Sequence, residues 1–91
     1  MYDGYNCVGD MFPFSLNNSE PAFSTYGWQN KGNSLLIGYN TVGCQILIRL
    51  YPGPNYTYTE ARFYGSPNIT EYYRFNDAQT NNFESGRSTC S

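Results

Sequence analysis

Histidine is absent from this chain, so the groups able to do chemistry are its carboxylates, amides, hydroxyls and three cysteines. Without an imidazole there is no Ser/His/Asp or Cys/His relay and no usual zinc set. Two carboxylate pairs, Asp3 with Asp10 and Glu60 with Glu71, could face one another across strands, the arrangement paired-carboxylate hydrolysis would need. Nothing in their sequence surroundings singles either pair out. No Gly-Lys-Ser/Thr phosphate loop or dinucleotide fingerprint is present, so the chain is not expected to be an enzyme. Cys7 has nothing basic beside it in sequence to lower its pKa and reads as a small packing residue.

Elements that would position such groups are short and β-rich. The helix formers Ala, Leu, Glu and Lys are scarce among the 91 residues, while ten Tyr, six Phe and nine Gly stand out. The run Ile46-Leu47-Ile48-Arg49-Leu50-Tyr51 ends at Pro52-Gly53-Pro54, which predicts a strand entering a hairpin. Ser34-Leu35-Leu36-Ile37-Gly38-Tyr39 predicts another strand, closed by Asn40 and Gly43. Ninety-one residues make one domain and no more.

An internal repeat organises these elements. Tyr2-Asp3-Gly4-Tyr5-Asn6-Cys7-Val8-Gly9 reads like Tyr51-Pro52-Gly53-Pro54-Asn55-Tyr56-Thr57-Tyr58, and Phe14 and Phe63 follow at equal offsets. Later, residues 28–35 (Trp-Gln-Asn-Lys-Gly-Asn-Ser-Leu) resemble residues 75–82 (Phe-Asn-Asp-Ala-Gln-Thr-Asn-Asn). The unit is about 45 residues long and occurs twice, over about 1–43 and 44–91. Four strands fit in each half, and two such units would bury their apolar faces only against each other, as a sandwich. Trp28 and Phe75, at matched positions, are expected in the core. Cys44 and Cys90 each lie near the end of a half, a conceivable disulfide whose geometry the sequence cannot test.

Charge excludes some partners. A net charge of −2 with five scattered cations gives no continuous surface for nucleic acid. No segment has the roughly 20 apolar residues of a membrane span. Sequons beginning at Asn17, Asn55 and Asn68 lean toward a secreted protein.

With these residues the chain resembles the βγ-crystallin superfamily, in the single-domain form built of two Greek keys. There a Tyr-x-x-x-x-aromatic-x-Gly hairpin precedes an Asn/Asp-Asn/Asp-x-x-Ser/Thr-Ser stretch in each half. The likeness spans nearly the whole chain and implies an all-β sandwich of two four-stranded motifs. It departs where Cys7 replaces the second aromatic and where Tyr58 replaces a Gly, so the second hairpin is expected to be distorted or differently turned.

The resemblance also implies Ca²⁺, a hard cation that takes oxygen ligands. Carried over position by position, it pairs Asn30 with Thr80 at one site and Asp77 with Asn33 at the other, with main-chain carbonyls of Lys31, Ala78, Asp3 and Pro52. One side-chain carboxylate, Asp77, across both sites implies weak binding centred there. The bland alternative is that these residues cap turns. A different class of function, a small secreted antimicrobial or killer-toxin-like protein or a protease inhibitor, would use an exposed loop or the Tyr-rich segments 56–58 and 72–73 against a protein or glycan partner.

Overall fold

In the run Ile46–Tyr51, Ile46, Ile48 and Leu50 are buried while Leu47 and Arg49 are half-buried. That alternation is the signature of a strand with one face in the core. The structure, a computed structural model, describes residues 1–91 apart from Phe14 and Leu16; the expected match of Phe14 with Phe63 therefore lies outside the described residues. In chain order the strands are β1 (Ser19–Glu20), β2 (Ser34–Ile37), β3 (Ile46–Tyr51), β4 (Ala61–Gly65), β5 (Glu71–Arg74) and β6 (Ser85–Cys90). Short 3-10 turns occupy Phe23–Tyr26 and Pro54–Tyr56, and there is no α-helix among the described residues. The protein is all-β with antiparallel sheets.

One sheet has four strands in the order β1-β6-β3-β4. The other pairs β2 with β5 and is extended by single-residue bridges from Tyr2 to Ser34 and to Met11. Each sheet therefore contains a piece of the other half: β1 joins β6, and β5 joins β2. The halves also differ. Among the described residues, 44–91 hold four strands, whereas 1–43 hold two strands and the two bridges. The first half opens not on a strand but on a short ladder in which the Met1 amine donates to the Phe12 carbonyl at 2.8 Å and Phe12 N to the Met1 carbonyl at 2.7 Å. Burial of that amine lowers its pKa to about 6.

One apolar cluster draws on both sheets: Leu35 and Ile37 from β2, Ile46, Ile48 and Leu50 from β3, Phe63 from β4, with Phe12, Phe23, Trp28, Phe75 and Phe83 between them. Its rings meet tilted or edge-on, Phe12 with Phe23 at 5.0 Å and Phe75 with Phe83 at 5.2 Å. Fully buried Phe23 and Phe83 each contribute about 1.5–3 kcal/mol of apolar burial. Trp28 and Phe75 are core residues, as their matched positions suggest. Cys44 and Cys90 form a disulfide with Cα atoms 5.4 Å apart, and Cys7 remains a free, half-buried thiol.

Candidate functional site

Two fully buried serines, Ser34 at the start of β2 and Ser85 at the start of β6, each anchor a hairpin. Ser34 Oγ donates to the Gly4 carbonyl at 2.6 Å and accepts from Cys7 N at 3.1 Å. Ser85 Oγ donates to the Gly53 carbonyl at 2.7 Å and accepts from Tyr56 N at 3.0 Å. Each serine thus folds a hairpin back onto its own strand. The hairpins share backbone shape: φ is positive at Asn6 and Cys7 in one and at Asn55 and Tyr56 in the other. The expected distortion at Tyr58 does not occur. Tyr58 takes φ 68° where Gly9 takes φ 87°, because the serine bonds fix the turn and the aromatic ring is left in solvent, 80% exposed.

These serines set the true correspondence between the halves. Residues 30–34 (Asn-Lys-Gly-Asn-Ser) match residues 81–85 (Asn-Asn-Phe-Glu-Ser), so the match of residues 28–35 with residues 75–82 is displaced by four positions. Hydrogen bonds confirm the new register. Asn33 N donates to the Tyr2 carbonyl at 2.8 Å, and Glu84 N to the Tyr51 carbonyl at 2.9 Å. Asn30 N donates to the Phe83 carbonyl at 2.8 Å, and Asn81 N reciprocates to the Gly32 carbonyl at 2.9 Å. Asn30 and Asn81 both have positive φ, 56° and 54°. The two stretches lie side by side, each bonded to the other half.

The candidate ligands fall into two groups. Asp3, Asn30, Lys31, Asn33 and Pro52 lie in or beside these crossed stretches. Asn33 Nδ2 donates to the Asp3 carbonyl, and Asn33 Oδ1 is buried with no hydrogen-bond partner. The Lys31 ammonium lies over the Trp28 ring, 5.3 Å from its centroid. Asp77, Ala78 and Thr80 instead belong to the turn ahead of the second stretch. Asp77 is exposed and makes no hydrogen bond or ion pair with the described residues. The Ala78 carbonyl accepts from Asn82 Nδ2 at 3.2 Å, and Thr80 Oγ1 donates to the Asn76 carbonyl at 3.0 Å. Asn76 Oδ1 caps the same turn by accepting from Gln79 N at 3.0 Å. Asn30 is brought beside Phe83, while the Asn33 carbonyl accepts from Phe75 N at 3.0 Å, two residues before Asp77.

Asn81 and Glu84 hold the positions of the second half that match Asn30 and Asn33 in this backbone register. The repeated Asn-x-x-Asn/Glu-Ser of residues 30–34 and 81–85 carries that register, but it is too short to outweigh the match of Trp28 with Phe75 in the sequence alone. The carboxylates of the two pairs have these surroundings. Asp3 Oδ1 accepts from Asp10 N at 2.8 Å as a turn brace, whereas Glu60 lies just before β4 and Glu71 in β5 of the other sheet. Among the described residues no group of three or more His, Cys, Asp or Glu gathers around one point, and no helix is long and apolar enough to cross a membrane. Family models, curated proteins and solved structures contain no match to this chain.

Proposed function

We propose that the chain is a βγ-crystallin-like module of two Greek keys that binds Ca²⁺ weakly at the crossed stretches. The supporting observation is Asn33 Oδ1, a buried carbonyl oxygen with no partner, on a side chain whose amide contacts the Asp3 carbonyl. A buried unpaired acceptor is costly, and rotating that amide would turn two oxygens toward one point, a combination a hard cation relieves. The exchange of β1 and β5 between sheets supports the two-motif reading.

In the corrected register Asn33, the Asp3 carbonyl and residues Asn81 and Asn82 would hold one ion. Glu84, the Pro52 carbonyl, Asn30 and the Lys31 carbonyl would hold a second. Ligand charge tunes Ca²⁺ affinity, and one carboxylate across both sites puts the dissociation constant on the order of 10⁻⁴–10⁻³ M. Bound ion ties together two segments from opposite halves and raises stability by mass action. The Cys44 to Cys90 disulfide fits an oxidising, secretory compartment.

Calorimetric titration and thermal melts with millimolar Ca²⁺ test this reading. Binding heat and a raised midpoint are expected, Glu84→Gln should weaken them several-fold, and Asp77→Ala should leave them unchanged. No response to Ca²⁺ removes the proposal, and loss in Asp77→Ala alone restores the earlier register.

A further inference from the structure

Three of the five cationic side chains stand in one row on the outer face of the four-stranded sheet. Arg87 of β6 is in register with Arg49 of β3, and Arg49 with Arg62 of β4. Their neighbours Ile48, Leu50, Phe63 and Ser88 are buried, so alternation turns all three arginines away from the core. Like charges directly opposite across strands are destabilising, so this row needs compensation.

Glu60 compensates one end. It meets Arg62 Nε at 2.5 Å and Arg49 Nε at 3.7 Å, and accepts from the Tyr51 hydroxyl at 2.9 Å. The Arg62 and Tyr51 hydrogen bonds hold its carboxyl below the ordinary carboxylate range. At the other end Arg87 makes no ion pair with a carboxylate among the described residues. Its guanidinium lies 3.6 Å from the centroid of the Tyr56 ring, which fixes its plane, and its Nε is buried without a hydrogen-bond partner. The row thus carries three positive charges against one negative, in a chain whose net charge is −2.

We propose that the Arg87 and Arg49 pair, with Arg62 beside it, binds a tetrahedral dianion, a phosphate or sulfate group. Adjacent strands lie about 4.8 Å apart, so forks from neighbouring strands can converge on one oxyanion. Guanidinium is suited to this role, as it presents planar paired donors and tolerates partial burial. The excess of two charges matches a dianion better than a lone carboxylate. The negative charge of the rest of the chain disfavours long polyanions, which selects a small ligand, either the free ion or a phosphate monoester on a small molecule. The Ca²⁺ reading is independent of this site.

Calorimetry in a low-ionic-strength chloride buffer is the test, with inorganic sulfate, inorganic phosphate and N-acetylglucosamine 6-phosphate as probes, at pH 8 so that both phosphate groups are dianions. At least one should bind at millimolar concentration or below. An ester that outcompetes both free ions points to a sugar ester, and equal binding to the ion itself. Arg87→Met keeps an apolar contact with Tyr56 and should weaken binding about tenfold, a change of about 1.4 kcal/mol. Glu60→Gln removes the competing carboxylate and should tighten it several-fold. Absence of binding by all three probes to the folded wild-type chain overturns the proposal, as does binding that neither substitution changes.

Discussion

The two folded hairpins, residues 2–11 and 51–61, reach the same backbone shape with different side chains. Each is held by a buried serine that gives a proton to a glycine carbonyl and takes one from a backbone N–H, at Gly4 and Cys7 in the first and at Gly53 and Tyr56 in the second. What differs is what the shape displays. The first places a half-buried thiol at position 7, whereas the second places the Tyr56 ring under Arg87. The first ends in Gly9 and the second in Tyr58, both at positive φ. Conformation here is set by a few buried polar bonds, which leaves the remaining positions free to diverge.

The disulfide gives the largest expected difference between the halves. It closes 46 residues of the second half, with no covalent counterpart in the first. A loop of that length is worth about 4 kcal/mol in the chain-entropy account. Replacing Cys44 and Cys90 together by Ala should lower stability by about 2–4 kcal/mol in urea unfolding, while Cys7→Ala should change it by well under 1 kcal/mol. Equal losses from both changes would mean that Cys7, not the bridge, carries structural weight.

Next in size is the pair of serines. Either Ser34→Ala or Ser85→Ala strands a carbonyl and a backbone N–H in a largely dry site, at about 2–3 kcal/mol. The comparison requires the two losses to be similar. If Ser85→Ala costs far more than Ser34→Ala in the same unfolding measurement, the hairpins are alike in shape but not in support.

These serines also show what could be read before any coordinates. The hairpin match was legible, because Tyr2 with Tyr51, Gly4 with Gly53 and Asn6 with Asn55 keep a constant offset of 49. The all-β class followed from the aromatic and β-branched runs, and Trp28 and Phe75 were recognisable as core. The later register was not legible. Ser85 lies 51 residues after Ser34, so two residues enter the second half between hairpin and stretch, and matching Trp28 with Phe75 sets Asp77, Ala78 and Thr80 four positions away from that backbone register. The turn at Asp77 and the stretch after it share an Asn/Asp-rich composition, and only the backbone bonds of Asn30 and Asn81 show which of the two lies opposite residues 30–34. The arginine row was invisible for a related reason: Arg49, Arg62 and Arg87 are scattered along the chain, and cross-strand pairing alone aligns them.

The smallest effect tests whether shape or side chain governs the turn at its last residue. A non-glycine residue in the left-handed region carries a strain of about 1–2 kcal/mol. Tyr58 is 80% exposed, so its burial recovers little of that, although its ring does lie close against Gly53. Tyr58→Gly should therefore stabilise the protein by up to about 1 kcal/mol, the gain being trimmed by the freer glycine in the unfolded chain. Gly9→Ala should do the reverse, because an added Cβ there takes on the same strain and meets the Asp3 carboxylate that braces Asp10 N. Opposite signs at the two positions, read as shifts in the urea midpoint at constant slope, would show that the serine-held backbone dictates both. A loss of stability in Tyr58→Gly would show instead that the ring packed on Gly53 outweighs the strain it imposes, and that the second hairpin has replaced glycine with a contact the first does not have.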